Sequence, residues 1–278
     1  MECADCNDTG WRAVEADGVR RVERCDCWRR QVARTLLEEA RIPRRYQKCD
    51  FSSFVTYENE QLLRALGSAR GFAEQFPVVD KGLLLIGPPG IGKTHIAVAT
   101  LREVVLTKAA RGVYFDTRTL LSTIRSTFNP VTRSSEGDVL RRVMEAELLV
   151  LDDLGAERPT DWVEETMNLI VNTRYNERRP TIFTSNYEDV PDADDLDSLL
   201  VRVGFRMHSR LREMCEFLEY GGPDYREFEY PPTGKDLFQR WKAQPRGGRL
   251  PRRTTTRARA QLKPDRLDLG WSGGKAGS

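Results

Sequence analysis

Residues 87–94 read GPPGIGKT: Gly87, Pro88, Pro89, Gly90, Ile91, Gly92, Lys93 and Thr94. The stretch matches G-x-x-x-x-G-K-[ST], a pattern whose glycines let successive backbone N–H groups turn inward around phosphate oxygens. It stands between the apolar run GLLLI (82–86) and the periodic run HIAVATLREVVL (95–106), an expected strand and an expected helix. The pattern requires that context. A helix opening at His95 aims its partial positive charge at the same place, so His95 joins the expected binding set. Lys93 has the length to reach β- and γ-phosphates, and the Thr94 hydroxyl suits Mg²⁺.

Three more short apolar runs follow: GVYFD (112–116), ELLVLDD (147–153) and PTIFTSN (180–186). Each is separated from the next by enough chain for a crossover helix, which predicts a mainly parallel sheet covered on both faces, a three-layer α/β sandwich. In such sheets ligands gather at the carboxyl ends of the strands. Asp152 and Asp153 end one strand there. Asp152, next to the apolar run, is expected to hold Mg²⁺ through coordinated water, and Asp153 to orient or activate an attacking water as general base. A polar group closing FTSN, Asn186 first and Ser185 next, would position that water.

At the start of the chain stand Cys3, Cys6, Cys25 and Cys27, two close pairs around WRAVEADGVRRVER, which reads as a hairpin turning at Asp17-Gly18. Four thiolates so grouped suit a structural Zn²⁺ with no open coordination position; iron–sulfur or redox chemistry and unliganded thiols are the other readings. A module this small would draw its folding energy from the metal. Cys49 and Cys215 stand alone and read as packing residues.

The 278 residues are 39% hydrophobic and 31% charged, and no run approaches the ~20 apolar residues of a membrane span. The N-terminal stretch is acidic and cysteine-rich, so the expected address is the cytoplasm, with no membrane partner. Charge is uneven. From Arg240 to Ser278 eleven Lys or Arg face two Asp, a net +9 that leaves the remaining residues at −7 in a chain of +2. That stretch is poor in apolar residues and is expected to be disordered, as a solubilising extension or a phosphate-binding arm. The expected organisation is a zinc module (1–27), a helical linker (28–80) with helices at Trp28–Ala40 and Asn59–Phe76, an ATPase domain (81–230) and a basic tail (231–278).

GPPGIGKT followed by THIA, LLVLDDLG, TIFTSN and SRL, together with the approach ARIPRRYQKCDFSSF, resembles the DnaC and IstB group of AAA+ ATPases. That group includes bacterial and phage helicase loaders and the ATPase subunits of some transposition systems. The resemblance implies that Arg210 in SRL is an arginine finger reaching a neighbouring subunit's nucleotide, with Arg206 and Arg212 close enough to be confused with it. It implies that Arg226 in PDYR is the arginine that reads the subunit's own nucleotide. It also implies an ATP-dependent homo-oligomer, a replicative DNA helicase as partner of the zinc module, and single-stranded DNA met by the segment holding Arg118, Arg125, Phe128 and Arg133. The wider AAA+ pattern commonly has Glu where this chain has Asp153, one methylene shorter. A transposition regulator acting on duplex DNA, from the same group, and a nucleotide-sensing adaptor with little turnover, which the shorter Asp153 suggests, are the competing functions.

Overall fold

The computed structural model describes residues 3–16, 19–127, 136–158, 160–190 and 198–244. An antiparallel hairpin, β1 (Trp11–Ala16) and β2 (Val19–Arg24), leads into α1 (Asp26–Glu39) and then α2 (Glu60–Gln75). Next come β3 (Gly82–Ile86), α3 (Lys93–Lys108), β4 (Gly112–Asp116), α4 (Thr117–Thr127), α5 (Glu136–Glu145) and β5 (Leu148–Asp152). The described chain continues through α6 (Asp161–Asn176), β6 (Thr181–Ser185), α7 (Leu199–Val203), α8 (Phe205–Met214), β7 (Cys215–Glu219) and α9 (Gly234–Ala243). The last five strands form one parallel sheet ordered β4-β5-β6-β3-β7. The four expected strands lie where their apolar runs put them. β7 is an addition.

Every residue of β3, β5 and β6 is buried, as a strand covered on both faces must be. Because side chains alternate, Leu83, Leu85, Val150 and Ile182 face one core with α2 and α3. Leu84, Ile86, Leu149, Leu151 and Phe183 face a second core with α4, α6 and α8. These are the expected three layers. Since all five strands run the same way, Gly87, Asp152 and Asn186 emerge at one edge.

Two expected boundaries shift. The stretch expected as a linker is part of the first core: Ala40, Leu62, Ala65, Leu66, Ala69, Phe72 and Phe76 are buried in one cluster with side chains of α3 and the sheet. Asn59 caps α2 by accepting from Leu62 N at 3.2 Å and donates to Gly221 O at 2.9 Å, tying the helix to the segment after β7. The expected tail likewise begins with ordered structure. Thr233 and Asp236 form a reciprocal capping box that starts α9, and Leu237 is buried, which offsets the ordering entropy the basic composition argued against. Residues 245–278 lie outside the described residues, as does the expected turn at Asp17-Gly18.

Arg174 of α6 is the largest fully buried side chain among the described residues. Its guanidinium donates to Val143 O (2.9 Å), Ala146 O (2.9 Å), Pro180 O (2.7 Å) and Thr181 Oγ1 (2.8 Å), so one side chain joins the end of α5, α6 and the start of β6. Burial pushes it down to about 9, which still leaves it charged at neutral pH. Arg174→Met keeps bulk but strands those carbonyls. Urea unfolding of this variant should show a loss of about 3 kcal/mol with an unchanged m-value, and a loss within about 0.5 kcal/mol of zero would contradict the clamp.

Candidate functional site

At the carboxyl edge of the sheet a cleft of about 520 Å³ is lined by Pro89 to His95, Asp152, Asp153, Asn186 and Arg226, all expected site residues. Gly87 leaves β3 with φ +148° and Gly90 turns with φ +81°. A side chain at Gly87 would run into Tyr220 O, and one at Gly90 into the Asp224 carboxylate, so both positions need glycine. Gly92, with φ +94°, is the N-cap of α3 and aims that helix's first N–H groups into the cleft.

Lys93 is buried, and its Nζ donates to Gly87 O, Pro88 O and Asn186 Oδ1, each at 2.7 Å. Burial, only partly opposed by Asp152 and Asp153, pushes the ammonium down to about 8. Asn186 then donates through Nδ2 to Asp153 Oδ1 at 2.6 Å, so a single amide bridges the lysine and the second acid. Ser185, the second choice in FTSN, turns away: its hydroxyl donates to Leu154 O at 2.9 Å.

Asp152 is buried and receives three hydroxyls: Thr94 Oγ1 at 2.8 Å, Tyr114 OH at 2.6 Å and Thr184 Oγ1 at 2.6 Å. Burial and then the Asp152 charge push the Tyr114 phenol up, keeping it a donor. Tyr114 and Thr184 carry no motif signal, and only the end-of-strand position of Thr184 could have pointed to it. Asp153 adopts φ +60°, a turn conformation that Asp tolerates, and its N–H donates to Thr184 Oγ1 at 2.9 Å. Burial first, and the neighbouring Asp152 charge second, hold its carboxyl above the usual range. The donor set therefore fits a nucleotide with Mg²⁺: a hydroxyl and a carboxylate side by side at Thr94 and Asp152, beside a backbone cradle that only glycine permits.

Of the two arginines, Arg226 lines the cleft and is held by Asp224 in a two-point pair, Nε to Oδ1 at 2.9 Å and Nη2 to Oδ2 at 2.8 Å. The Arg226 pair holds the Asp224 carboxyl below its usual range. Arg210 does not line it. It sits half-buried on α8, where its Nη1 donates to Arg206 O at 3.1 Å. Neighbouring Arg212 pairs with Asp189 and lies over Phe217. Arg125 stacks on Trp162 at 4.4 Å, Arg118 reaches the loop after β5, and Phe128 and Arg133 lie outside the described residues. Arg45, Tyr46, Phe54 and Tyr57, from the approach segment, line the cleft without having been expected there.

The four N-terminal cysteines converge, their sulfurs all within 4.8 Å of one another, with Cys3–Cys25 at 3.7 Å and Cys6–Cys27 at 3.3 Å. Tetrahedral zinc with bonds of about 2.3 Å places its sulfurs about 3.8 Å apart, so the donor set fits. Local hydrogen bonds explain the approach: Asn7 N donates to Cys3 O at 2.8 Å, and Cys25 N to Gly10 O at 2.9 Å. Arg24 lies between the rings of Trp11 (3.8 Å) and Trp28 (4.4 Å). No helix among the described residues is long and apolar enough to cross a membrane.

Comparison with known proteins follows the same geography. Residues 20–226 match the family described as IstB-like ATP binding protein. The phage-like element PBSX protein XkdC of Bacillus subtilis (strain 168) is 25% identical over 224 residues, covering 77% of this chain and 79% of that protein. The replicative helicase loader DnaC of Escherichia coli (strain K12) is 26% identical over 167 residues, 60% of this chain and 64% of that loader. A crystal structure of the DnaC helicase loader superposes with TM-score 0.56 at 35% identity, over 64% of this chain and 99% of that one.

Two expectations follow from the site. Because burial draws the Lys93 ammonium down to about 8 and a phosphate favours its charged form, ATP affinity should weaken as pH rises through about 8, with protons taken up on binding near that pH. Calorimetry in buffers of different ionisation enthalpy checks this, and an affinity flat between about pH 7 and 9 with no proton uptake would contradict it. Metal analysis of gently purified protein should give about one zinc per chain, lost together with hairpin structure on chelation or in a Cys25→Ser, Cys27→Ser double variant. Clearly less than one zinc with an unaltered hairpin would exclude the structural metal.

Proposed function

This chain belongs to the IstB-like ATP binding protein family, and on that premise we propose that it is an ATP-dependent loader of a replicative DNA helicase, working in the cytoplasm as a multisubunit assembly on single-stranded DNA. The reading is supported by one conjunction: a cleft in which Asn186 bridges Lys93 and Asp153 while Asp152 holds Thr94, in a fold that aligns over 99% of a solved DnaC helicase loader. Residues 1–27 serve as a docking head for the helicase, and residues 81–230 carry the ATP chemistry. Arg118 and Arg125 supply charge toward DNA.

Thr94 and Asp152 would hold Mg²⁺, which supplies neutralising charge on the phosphate oxygens. The backbone N–H groups of Gly90 to Gly92 and the start of α3 bind the phosphates, and Lys93 exchanges its carbonyl acceptors for phosphate oxygens. Asp153, held above the usual carboxylate range, accepts the proton of the attacking water, and Asn186 orients that water. Arg226 leaves Asp224 for the bound nucleotide. Arg210, outside its own cleft, serves a neighbouring subunit, so turnover depends on assembly.

The test combines binding and turnover. The host's replicative helicase should be retained by the immobilised full-length chain, and phosphate release should rise with single-stranded DNA and helicase present. Lys93→Ala should lower that release at least about 100-fold, the scale of removing charge stabilisation from a transition state. No helicase binding, together with ATP-dependent filaments on duplex DNA, would favour the transposition regulator. Helicase binding without turnover in any state would leave a nucleotide-sensing adaptor, the reading that the short Asp153 side chain favours.

A further inference from the structure

Six carbonyls, from Asp152 to Glu157, carry the chain out of β5, and each has a donor. Thr117 Oγ1 donates to Asp152 O at 2.8 Å, Ala156 N to Asp153 O at 3.2 Å, and Ser185 Oγ to Leu154 O at 2.9 Å. Arg202 spans the turn, Nε to Gly155 O at 2.8 Å and Nη2 to Glu157 O at 2.6 Å, and Arg118 Nη2 takes Ala156 O at 3.0 Å. Arg118 Nε also lies 3.4 Å from the Glu157 carboxylate. A surface loop ordinarily leaves such groups to water. Here side chains from three elements claim them.

The donors come from two directions in the fold. Thr117 and Arg118 open α4, directly after β4 on one side of β5. Arg202 belongs to α7, which follows β6 on the other side and is joined through the single residue Gly204, φ +81°, to α8 and so to Arg210. The Arg202 guanidinium lies 4.7 Å from the centre of the Tyr187 ring, one residue past Asn186. Gly155, φ +83°, is where both pack: a side chain there would come within 3.1 Å of Arg202 Cβ and 3.2 Å of the Tyr187 ring. The loop is therefore shaped to be gripped.

We infer that Arg118 and Arg202 are positioning residues for the hydrolytic end of the cleft: they hold loop 153–157 from the β4 side and the β6 side. Movement of α4, or of α7 and α8, then reaches Asp153 through the loop's carbonyls. Asp153 is sensitive to such movement because its backbone already sits at φ +60°, pinned by Thr184 and by the Ala156 turn. The inference rests on the ATPase reading of this cleft and specifies how that site is regulated. Helix α4 is the element proposed to meet DNA, and α8 carries the arginine proposed to meet a neighbour. Loop 153–157 is where the two signals meet.

Hydrogen–deuterium exchange on the full chain, compared among the natural sequence, Arg202→Met, Arg202→Lys and Arg118→Met, tests this without requiring turnover. Arg202→Met should speed exchange at 153–157 and in the first turn of α4. Arg118→Met should speed it at 153–157 and in α7. In phosphate-release assays both should lower kcat roughly tenfold with KM for ATP within about twofold, the pattern of misplaced chemistry with intact binding. Arg202→Lys keeps the charge but not the two-point fork, so it should retain thermal stability and still lose most of that kcat. Exchange altered only in each variant's own helix, or kcat unchanged, would overturn the inference, and a uniform loss of protection with lowered stability would reduce it to a structural role. If the natural sequence itself has no turnover, the ATPase reading fails while the exchange pattern still judges the clamp.

Discussion

A carboxylate withdrawn from water must be given donors, and the Asp152 carboxylate receives them from three different elements. Thr94 comes from the first turn of α3, Tyr114 from β4 and Thr184 from β6, while Thr117 of α4 fixes the Asp152 carbonyl. The ladder registers bring the ends of β4, β5 and β6 level, and these bonds tie those ends together. One side chain thus joins the carboxyl ends of three strands and the start of α3 at a common point.

Burial then acts on the neighbours in opposite senses. It holds Asp153 above the usual carboxylate range and draws Lys93 down to about 8, moving an acid and a base toward neutrality within one cleft. Asn186 stands between them, accepting from the ammonium and donating to the carboxylate, so the two are linked without direct contact. An amide suits that place because it offers both roles at once and carries no charge of its own. A serine could not span the gap, and Ser185 instead secures the loop after β5.

Most of this was legible where chemistry and periodicity coincide. The glycine-rich turn, Asp152, Asp153 and Asn186 are read from strand ends because α/β sheets bind ligands there, and the apolar runs mark β3 to β6. β7 was not legible: its CEFLE lacks the strict polar–apolar alternation of a half-buried strand, Phe217 and Leu218 being adjacent, with Cys215 and Leu218 buried and Glu216 and Glu219 exposed, and it follows a helix without a breaker. α2 read as a linker because its sequence shows one apolar stripe and says nothing of what covers it. Arg174 and Arg202 are invisible in sequence for a general reason. An arginine is usually solvated, and only the fold reveals which backbone carbonyls it must serve.

The cysteine module is not loosely appended. Cys25 stands at the N-terminal boundary of α1 and Cys27 lies in its first turn, so two of the four candidate ligands sit at the start of a helix of 14 residues, roughly 21 Å long. At its far end Ala40 is buried, and its carbonyl accepts from Tyr114 N at 2.8 Å, covering the open edge of β4. The hydroxyl of the same tyrosine reaches Asp152. One rigid helix and one side chain therefore lead from the module to the acid that organises the cleft. Arg41 follows at φ +59°, and its guanidinium lies 4.9 Å from the centre of the Phe115 ring, so the edge of β4 is held at two successive residues. Tyr114 is one of three hydroxyls bonded to the buried Asp152 carboxylate, so displacing it would cost more than an ordinary surface hydrogen bond.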